Sequence, residues 1–176
     1  MIKKKVCLLG GSAVGKTSLV ARFVYSKYAE KYLTTVGVKV DEKTVHVGGQ
    51  EVNLYVWDIE GEDEFQKLRL SYLRGASGCL LVVDGSRRAT LDVALNLQTK
   101  VTGALGSVPC VVLVFNKADL ANEWEIDDAT IESLSAQGWS VIKASAKTGQ
   151  GVEEAFLTLA GEMLKRQTSS LQEVKE

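Results

Sequence analysis

The sequence carries no surplus of either charge: 21 Lys and Arg residues stand against 22 Asp and Glu. A nucleic-acid-binding domain needs a basic excess or stripe to neutralise phosphates, so this balance argues against DNA or RNA as a partner. Cysteine is scarce and odd in number, with Cys7, Cys79 and Cys110 each inside an apolar run. Their spacing fits neither a zinc site nor a disulfide framework. They read as small core hydrophobes of a chain kept in a reducing compartment. No apolar stretch approaches the roughly 18 residues that would cross a bilayer. The start Met1-Ile2-Lys3-Lys4-Lys5 passes straight into a strand-like segment, unlike a signal peptide. Internal repeats and long linkers are missing, and Pro109 is the one proline.

What is present is an ordinary globular composition. The chain is 45% hydrophobic and 24% charged over 176 residues, enough for one buried domain and too short for two. Short β-branched apolar runs alternate with helix-like stretches, the pattern of an α/β domain with a mainly parallel sheet. Strands are predicted over Lys4–Leu9, Val36–Val47, Glu51–Asp58, Gly78–Asp84, Val108–Phe115 and Ser140–Lys143. The second and third flank Gly48-Gly49 and read as a β-hairpin, which adds one antiparallel strand at the sheet's edge. Pro109 opens the fifth strand, where a missing donor does little harm. Helices are predicted near Lys16–Val24, Phe65–Leu73, Leu91–Leu105, Asp127–Ala136 and Gly151–Arg166. The last has Val152, Ala155, Phe156, Leu159 and Met163 on one stripe. A folded domain is expected over residues 1–166, with a polar, fraying tail over 167–176.

Gly10-Gly11-Ser12-Ala13-Val14-Gly15-Lys16-Thr17 matches G-x-x-x-x-G-K-[ST], directly after a predicted strand and directly before a predicted helix. Glycines let the backbone curl so that successive N–H groups point inward at an anion. The helix that begins Lys16-Thr17-Ser18 adds its N-terminal partial positive charge. Lys16 is placed to reach the outer phosphates of a nucleotide, and the Thr17 hydroxyl to ligate Mg²⁺. A Gly-rich turn can match by chance, but the strand and helix around this one supply the context the motif requires. Alone, the loop specifies phosphate and leaves the base open.

Asn116-Lys117-Ala118-Asp119 follows the predicted fifth strand, at the carboxyl edge where open α/β sheets bind ligands. A carboxylate there can accept from both N–H groups on the Watson–Crick edge of guanine. Adenine offers no such pair, so discrimination follows from unpaired buried polar groups. The Lys117 stem can lie across the purine face with its charge in water. Ser145-Ala146-Lys147, after the sixth strand, offers backbone amides to the guanine carbonyl oxygen, and a short serine turn is the plainer alternative.

Together these segments resemble the Ras superfamily of small GTPases, most closely its Rab branch, over roughly Lys5 to Lys165. The resemblance implies a P-loop G domain: a six-stranded, mainly parallel sheet, one antiparallel edge strand and helices on both faces. It implies GTP and GDP as ligands, Mg²⁺ as cofactor, hydrolysis of GTP to GDP, and a monomeric switch. Protein effectors and regulators would read that switch through residues 30–40 and 60–76. Thr35, in Tyr32-Leu33-Thr34-Thr35-Val36-Gly37, occupies the position that senses the γ-phosphate through Mg²⁺. Tyr28 is similar to the aromatic that packs against the base. Asp58-Ile59-Glu60-Gly61 matches D-x-x-G, whose Asp holds Mg²⁺ through water and whose Gly amide meets the γ-phosphate. Thr17, Thr35 and Asp58 are then the metal set, and Lys16, Thr35, Gly61 and Glu62 the catalytic one. Trp57-Asp58, Phe65, Tyr72-Leu73-Arg74-Gly75-Ala76 and Gly151-Val152-Glu153-Glu154-Ala155-Phe156 are Rab-like.

Three departures from that pattern matter. Glu62 stands where the family usually has Gln. A Gln amide both orients the attacking water and donates to the transition state; a carboxylate accepts but cannot donate, and its charge faces a phosphate already rich in negative charge. A carboxylate is also a better base, so either sign is conceivable, and slow turnover is expected. The alternative is a GTP-binding scaffold with negligible hydrolysis. Ile59-Glu60 replaces the usual Thr-Ala and begins an acidic run through Glu64, read in part as helix capping and in part as a surface selecting basic partners. The C-terminal residues carry no cysteine for prenylation. The protein is expected in the cytoplasm, and peripheral to a membrane if the chain continues into a lipidated tail.

Overall fold

Side chains alternate along an extended chain, and this alternation divides the core in two. Val6, Leu8, Leu80, Val82, Val112 and Val114 face one side of a sheet, while Cys7, Leu9, Leu81, Val83, Leu113 and Phe115 face the other. The computed structural model describes residues 1–61, 68–107 and 109–173. Six strands, β1 (Ile2–Gly10), β2 (Val38–Val47), β3 (Gln50–Ile59), β4 (Gly78–Asp84), β5 (Cys110–Asn116) and β6 (Ser140–Lys143), form one sheet in the order β2-β3-β1-β4-β5-β6. Only β2 and β3 pair antiparallel, with Val47 opposite Gln50 across the two-residue turn Gly48-Gly49. The other neighbours are parallel. Every residue of β4 is buried, as a parallel strand covered on both faces should be.

Helices α1 (Lys16–Tyr25) and α4 (Val152–Glu173) cover the first face, and α2 (Ala89–Leu105) and α3 (Asp128–Ala136) the second. The predicted stripe Val152, Ala155, Phe156, Leu159 and Met163 is buried throughout. It meets α1 through Phe156, which stacks on Phe23 with ring centroids 3.8 Å apart. The three cysteines are free and buried, and burial pushes the Cys7 thiol up to about 12. Among the described residues no helix is long and apolar enough to cross a membrane.

Some boundaries differ from those expected. β2 begins at Val38, leaving Val36 in an irregular segment with its side chain exposed. The helix predicted over Phe65–Leu73 falls partly outside the described residues; within them there is one 3₁₀ turn, Leu70–Leu73. The extended backbone of Arg69 (φ −84°, ψ 103°) interrupts any helix there, and Leu73 is drawn fully into the core. Residues 167–173, read as a fraying tail, continue α4. The hydroxyls of Thr168, Ser169 and Ser170 donate to carbonyls four residues earlier, so these polar side chains are satisfied without ending the helix.

Because Phe156 joins α4 to α1 across the first face, Phe156→Ala should destabilise the nucleotide-loaded protein by about 3–5 kcal/mol in urea unfolding. A loss below about 1 kcal/mol would mean that the stack is not a support of the core.

Candidate nucleotide site

The carboxyl ends of β1, β4, β5 and β6 share one edge of the sheet. After β1 the chain goes to β3 on one side and then to β4 on the other, so the turn leaving β1 stands at a topological switch point, where such sheets bind ligands. A cavity of about 570 Å³ opens there. Its floor is the stretch Ser12 to Ser18. One wall holds Asn116, Lys117, Asp119, Ala146 and Lys147, and Tyr28, Tyr32, Thr35 and Gly61 are also in the lining. Gly11, Asp58 and Ser145 are buried next to it and are not among the lining residues.

The floor is pinned from beneath by Asn116, which is 1% exposed. Its Nδ2 donates to Val14 O at 3.0 Å, and its Oδ1 accepts from the Ala146 N–H at 3.2 Å. A Cβ on Gly15 would lie 2.2 Å from Asn116 Nδ2, and Gly15 has φ 100°, so glycine alone fits there. Lys117 takes a left-handed backbone, φ 67°. Its Nζ donates to Ala13 O at 3.1 Å and to Asp84 Oδ2 at 2.7 Å. The ammonium, expected to remain in water, is thus paired with a buried carboxylate, because Asp84 stands opposite Asn116 in the β4–β5 register.

Asp119 Oδ1 accepts from Ser145 Oγ at 2.6 Å, and Ser145 Oγ in turn accepts from the Thr148 N–H at 3.1 Å. Ser145 thus makes the serine turn that was the plainer sequence reading, and its hydroxyl also orients the Asp119 carboxylate, which the sequence did not show. Two of the amides this loop was expected to offer a ligand have partners within the fold. Ser145 N–H donates to Gln150 O, and Ala146 N–H to Asn116, which leaves Lys147. Arg22 braces the loop from behind, with Nε 2.7 Å from Ala146 O.

Two supporting residues were missed in the sequence. Asp84, 1% exposed, accepts from Ser86, Arg87 and Lys117. Burial pushes its carboxyl up, but these hydrogen bonds outweigh that and hold it below the usual carboxylate range. Arg87 extends the tie with Nη2 2.9 Å from Ser12 O. An acid closing an otherwise apolar strand was the sequence signal that could have marked Asp84.

Lys16 is 6% exposed, and its Nζ donates to Gly10 O (3.2 Å) and Gly11 O (2.9 Å). An ammonium has three protons, so one donor is left. Burial lowers its pKa to about 8. Beside it, Thr17 Oγ1 donates to Asp58 Oδ2 at 2.6 Å and lies 2.8 Å from Thr35 Oγ1, which is itself 3.4 Å from Asp58 Oδ2. Asp58 is buried, and among the described residues its Oδ1 has no hydrogen-bond partner. Burial pushes its carboxyl up, offset in part by the two threonine hydroxyls and the charges of Lys16 and Lys39. Two hydroxyls and an orphaned carboxylate oxygen are the hard donor set that Mg²⁺ selects. The set fits that ion.

The chain leaving β3 meets the phosphate loop at Gly61, where a Cβ would lie 2.6 Å from Ser12 Cα. Ile59 is fully buried. Glu60, expected as part of a capping and partner-selecting surface, is turned inward: its side chain is 10% exposed, and its Oε2 accepts from the Gly37 N–H at 2.8 Å. Glu62 and Phe65 lie outside the described residues.

The model of the Ras family matches residues 5–165. The chain belongs to the Ras family. Ras-related protein Rab-21 of Homo sapiens is 35% identical over 161 residues, covering 91% of this chain and 72% of that protein. Ras-related protein RABD1 of Arabidopsis thaliana is 31% identical over 166 residues, covering 94% and 81%. Ras-related protein RABA6b of the same plant is 35% identical over 158 residues, covering 89% and 69%. The protein is accordingly a Rab-like small GTPase, a guanine-nucleotide-binding switch.

Phosphate binding by this small GTPase should favour the Lys16 ammonium, which burial holds near 8 in the free site. Affinity for GDP should therefore stay level below about pH 8 and fall above it by up to about tenfold per pH unit. Titrations between about pH 6.5 and 9.5 test this; a level profile throughout would mean that Lys16 gives no charge to the ligand.

Proposed function

We propose that the cavity takes GTP and GDP, with the phosphates on residues 11–18 and the base between Lys117 and Tyr28, its edge against Asp119. The observation that carries this reading is the convergence of a phosphate loop and an oriented carboxylate on one cavity, joined by Asn116. The Ser12 to Thr17 backbone binds the phosphates, and Lys16 adds charge at their outer end. Lys147 N–H is the loop amide open to the guanine carbonyl oxygen.

Thr17, Thr35 and Asp58 hold Mg²⁺ in this reading. When bound, the ion neutralises charge on the phosphate oxygens. The chain's own part is to hold Thr35 beside Thr17 and to bring Gly61 N–H against the phosphate loop, where it can donate to the γ-phosphate. Loss of that phosphate removes a tie on residues 30–40, the first switch, and on 60–76, the second, and a protein that binds only the ordered form reads the difference. Leu33, Val36 and Val40 are exposed there and supply apolar contact area for such a partner.

Hydrolysis is slow. Glu62 can accept a hydrogen bond from the attacking water, but it offers no donor to the transition state and brings negative charge toward the phosphates. Glu62→Gln should raise single-turnover phosphate release from GTP on the order of tenfold. A parent protein that hydrolyses GTP faster than the variant would overturn slow turnover. No release by either would favour the scaffold reading.

A further inference from the structure

The β2–β3 ladder ends in an unusual way. Its last paired residues are Val38 and Ile59, so Gly37 and Glu60 form the next step. In an antiparallel hydrogen-bonded pair, each residue gives its N–H to the other's carbonyl. Glu60 does so, with its N–H 2.9 Å from Gly37 O. The return bond runs to the side chain: Gly37 N–H donates to Glu60 Oε2 at 2.8 Å. A bond to an ionised acceptor is stronger than its neutral backbone counterpart. The Glu60 side chain is 10% exposed, and Oε1 lies 3.9 Å from the Nε of Arg69, which is 69% exposed. An ion pair that open to water is worth little. The carboxylate therefore acts mainly on Gly37.

Gly37 closes a stretch that has few other anchors. Residues 27–36 form no helix or strand between α1 and β2. Tyr28 packs on the core at the start of the segment, but Leu33 and Val36 are 94% and 82% exposed and Thr34 is exposed as well, so the residues on either side of Thr35 add no apolar tie. Thr35 is held by its hydroxyl, through Thr17 and Asp58. Two residues further on, the chain is held by Glu60.

We propose that Glu60 is a positioning residue for Thr35: its carboxylate fastens the first switch to the second at Gly37, so that Thr35 keeps part of its hold when the γ-phosphate is gone. The first switch then changes less between the two nucleotide states than a switch held by the phosphate alone. The assignment of Thr35 to the cation rests on the function proposed above; the fastening of Gly37 rests on the geometry alone.

Amide hydrogen exchange on the full chain loaded with GDP and Mg²⁺ tests it, with Glu60→Ala and Glu60→Gln beside the parent. Loss of one charge-assisted bond should speed exchange in residues 33–37 by about tenfold in Glu60→Ala. In Glu60→Gln, whose carboxamide oxygen can still accept from Gly37, exchange should stay within about threefold of the parent. The Mg²⁺ concentration that half-suppresses GDP release should rise about tenfold in Glu60→Ala. Unchanged exchange over residues 33–37 in Glu60→Ala, or an equal rise across the whole chain, would overturn the proposal. If GDP release from the parent ignores Mg²⁺, the cation assignment fails while the exchange measurement still decides the role of Glu60.

Discussion

The carboxamide of Asn116 is the interaction on which the site depends. It is buried, and it uses both ends: Nδ2 on the phosphate loop at Val14 and Oδ1 on the Ala146 amide. A buried amide is stable only when satisfied, and a loss at either end would leave a polar group unpaired in the core. Three loops from distant parts of the chain thus share one register. Asp84 repeats the pattern a strand away, tying Lys117 and Arg87 to the carbonyls of Ala13 and Ser12. The phosphate loop is held from below by side chains while its cavity face stays open.

Much of this was legible in the residues themselves. The alternation of β-branched runs with amphipathic stretches carried the six strands, because parallel strands buried on two faces leave a continuous apolar signature in β4 and β5; the helical layers on both faces came with the family resemblance. The motifs at Gly10 to Thr17 and Asn116 to Asp119 could be read from the residues, because a phosphate and a purine base each call for particular groups at a strand's end; Asp58 to Gly61 came with the resemblance to the Ras superfamily. What remained hidden was long-range pairing. Lys117 could not be matched to Asp84 without the β4–β5 register. The amides of Ser145 and Ala146 are already occupied by Gln150 and Asn116, partners that only the folded chain brings beside them. Local composition also misjudged the end of α4, where hydroxyls that bond to their own helix continue it.

Glu60 illustrates the same limit more sharply. As a letter in an acidic run it reads as surface charge. In the fold its backbone already continues the β2–β3 ladder, which leaves the side chain within reach of Gly37. The neighbouring Ile59, fully buried, fixes the strand that presents it. The two departures from the usual Thr-Ala therefore act as a pair, one anchoring β3 in the core and the other reaching across to the first switch.

The most direct test of the site is its choice of base. Asp119, oriented by Ser145, should accept from two guanine N–H groups. Competition against a fluorescent GDP analogue by GDP, IDP and ADP separates the contributions. IDP, which lacks the exocyclic amine, should bind roughly tenfold or more weakly than GDP through loss of one charge-assisted bond. ADP should be weaker by about ten-thousandfold. ADP competing within about tenfold of GDP would contradict the assignment of Asp119 to the base.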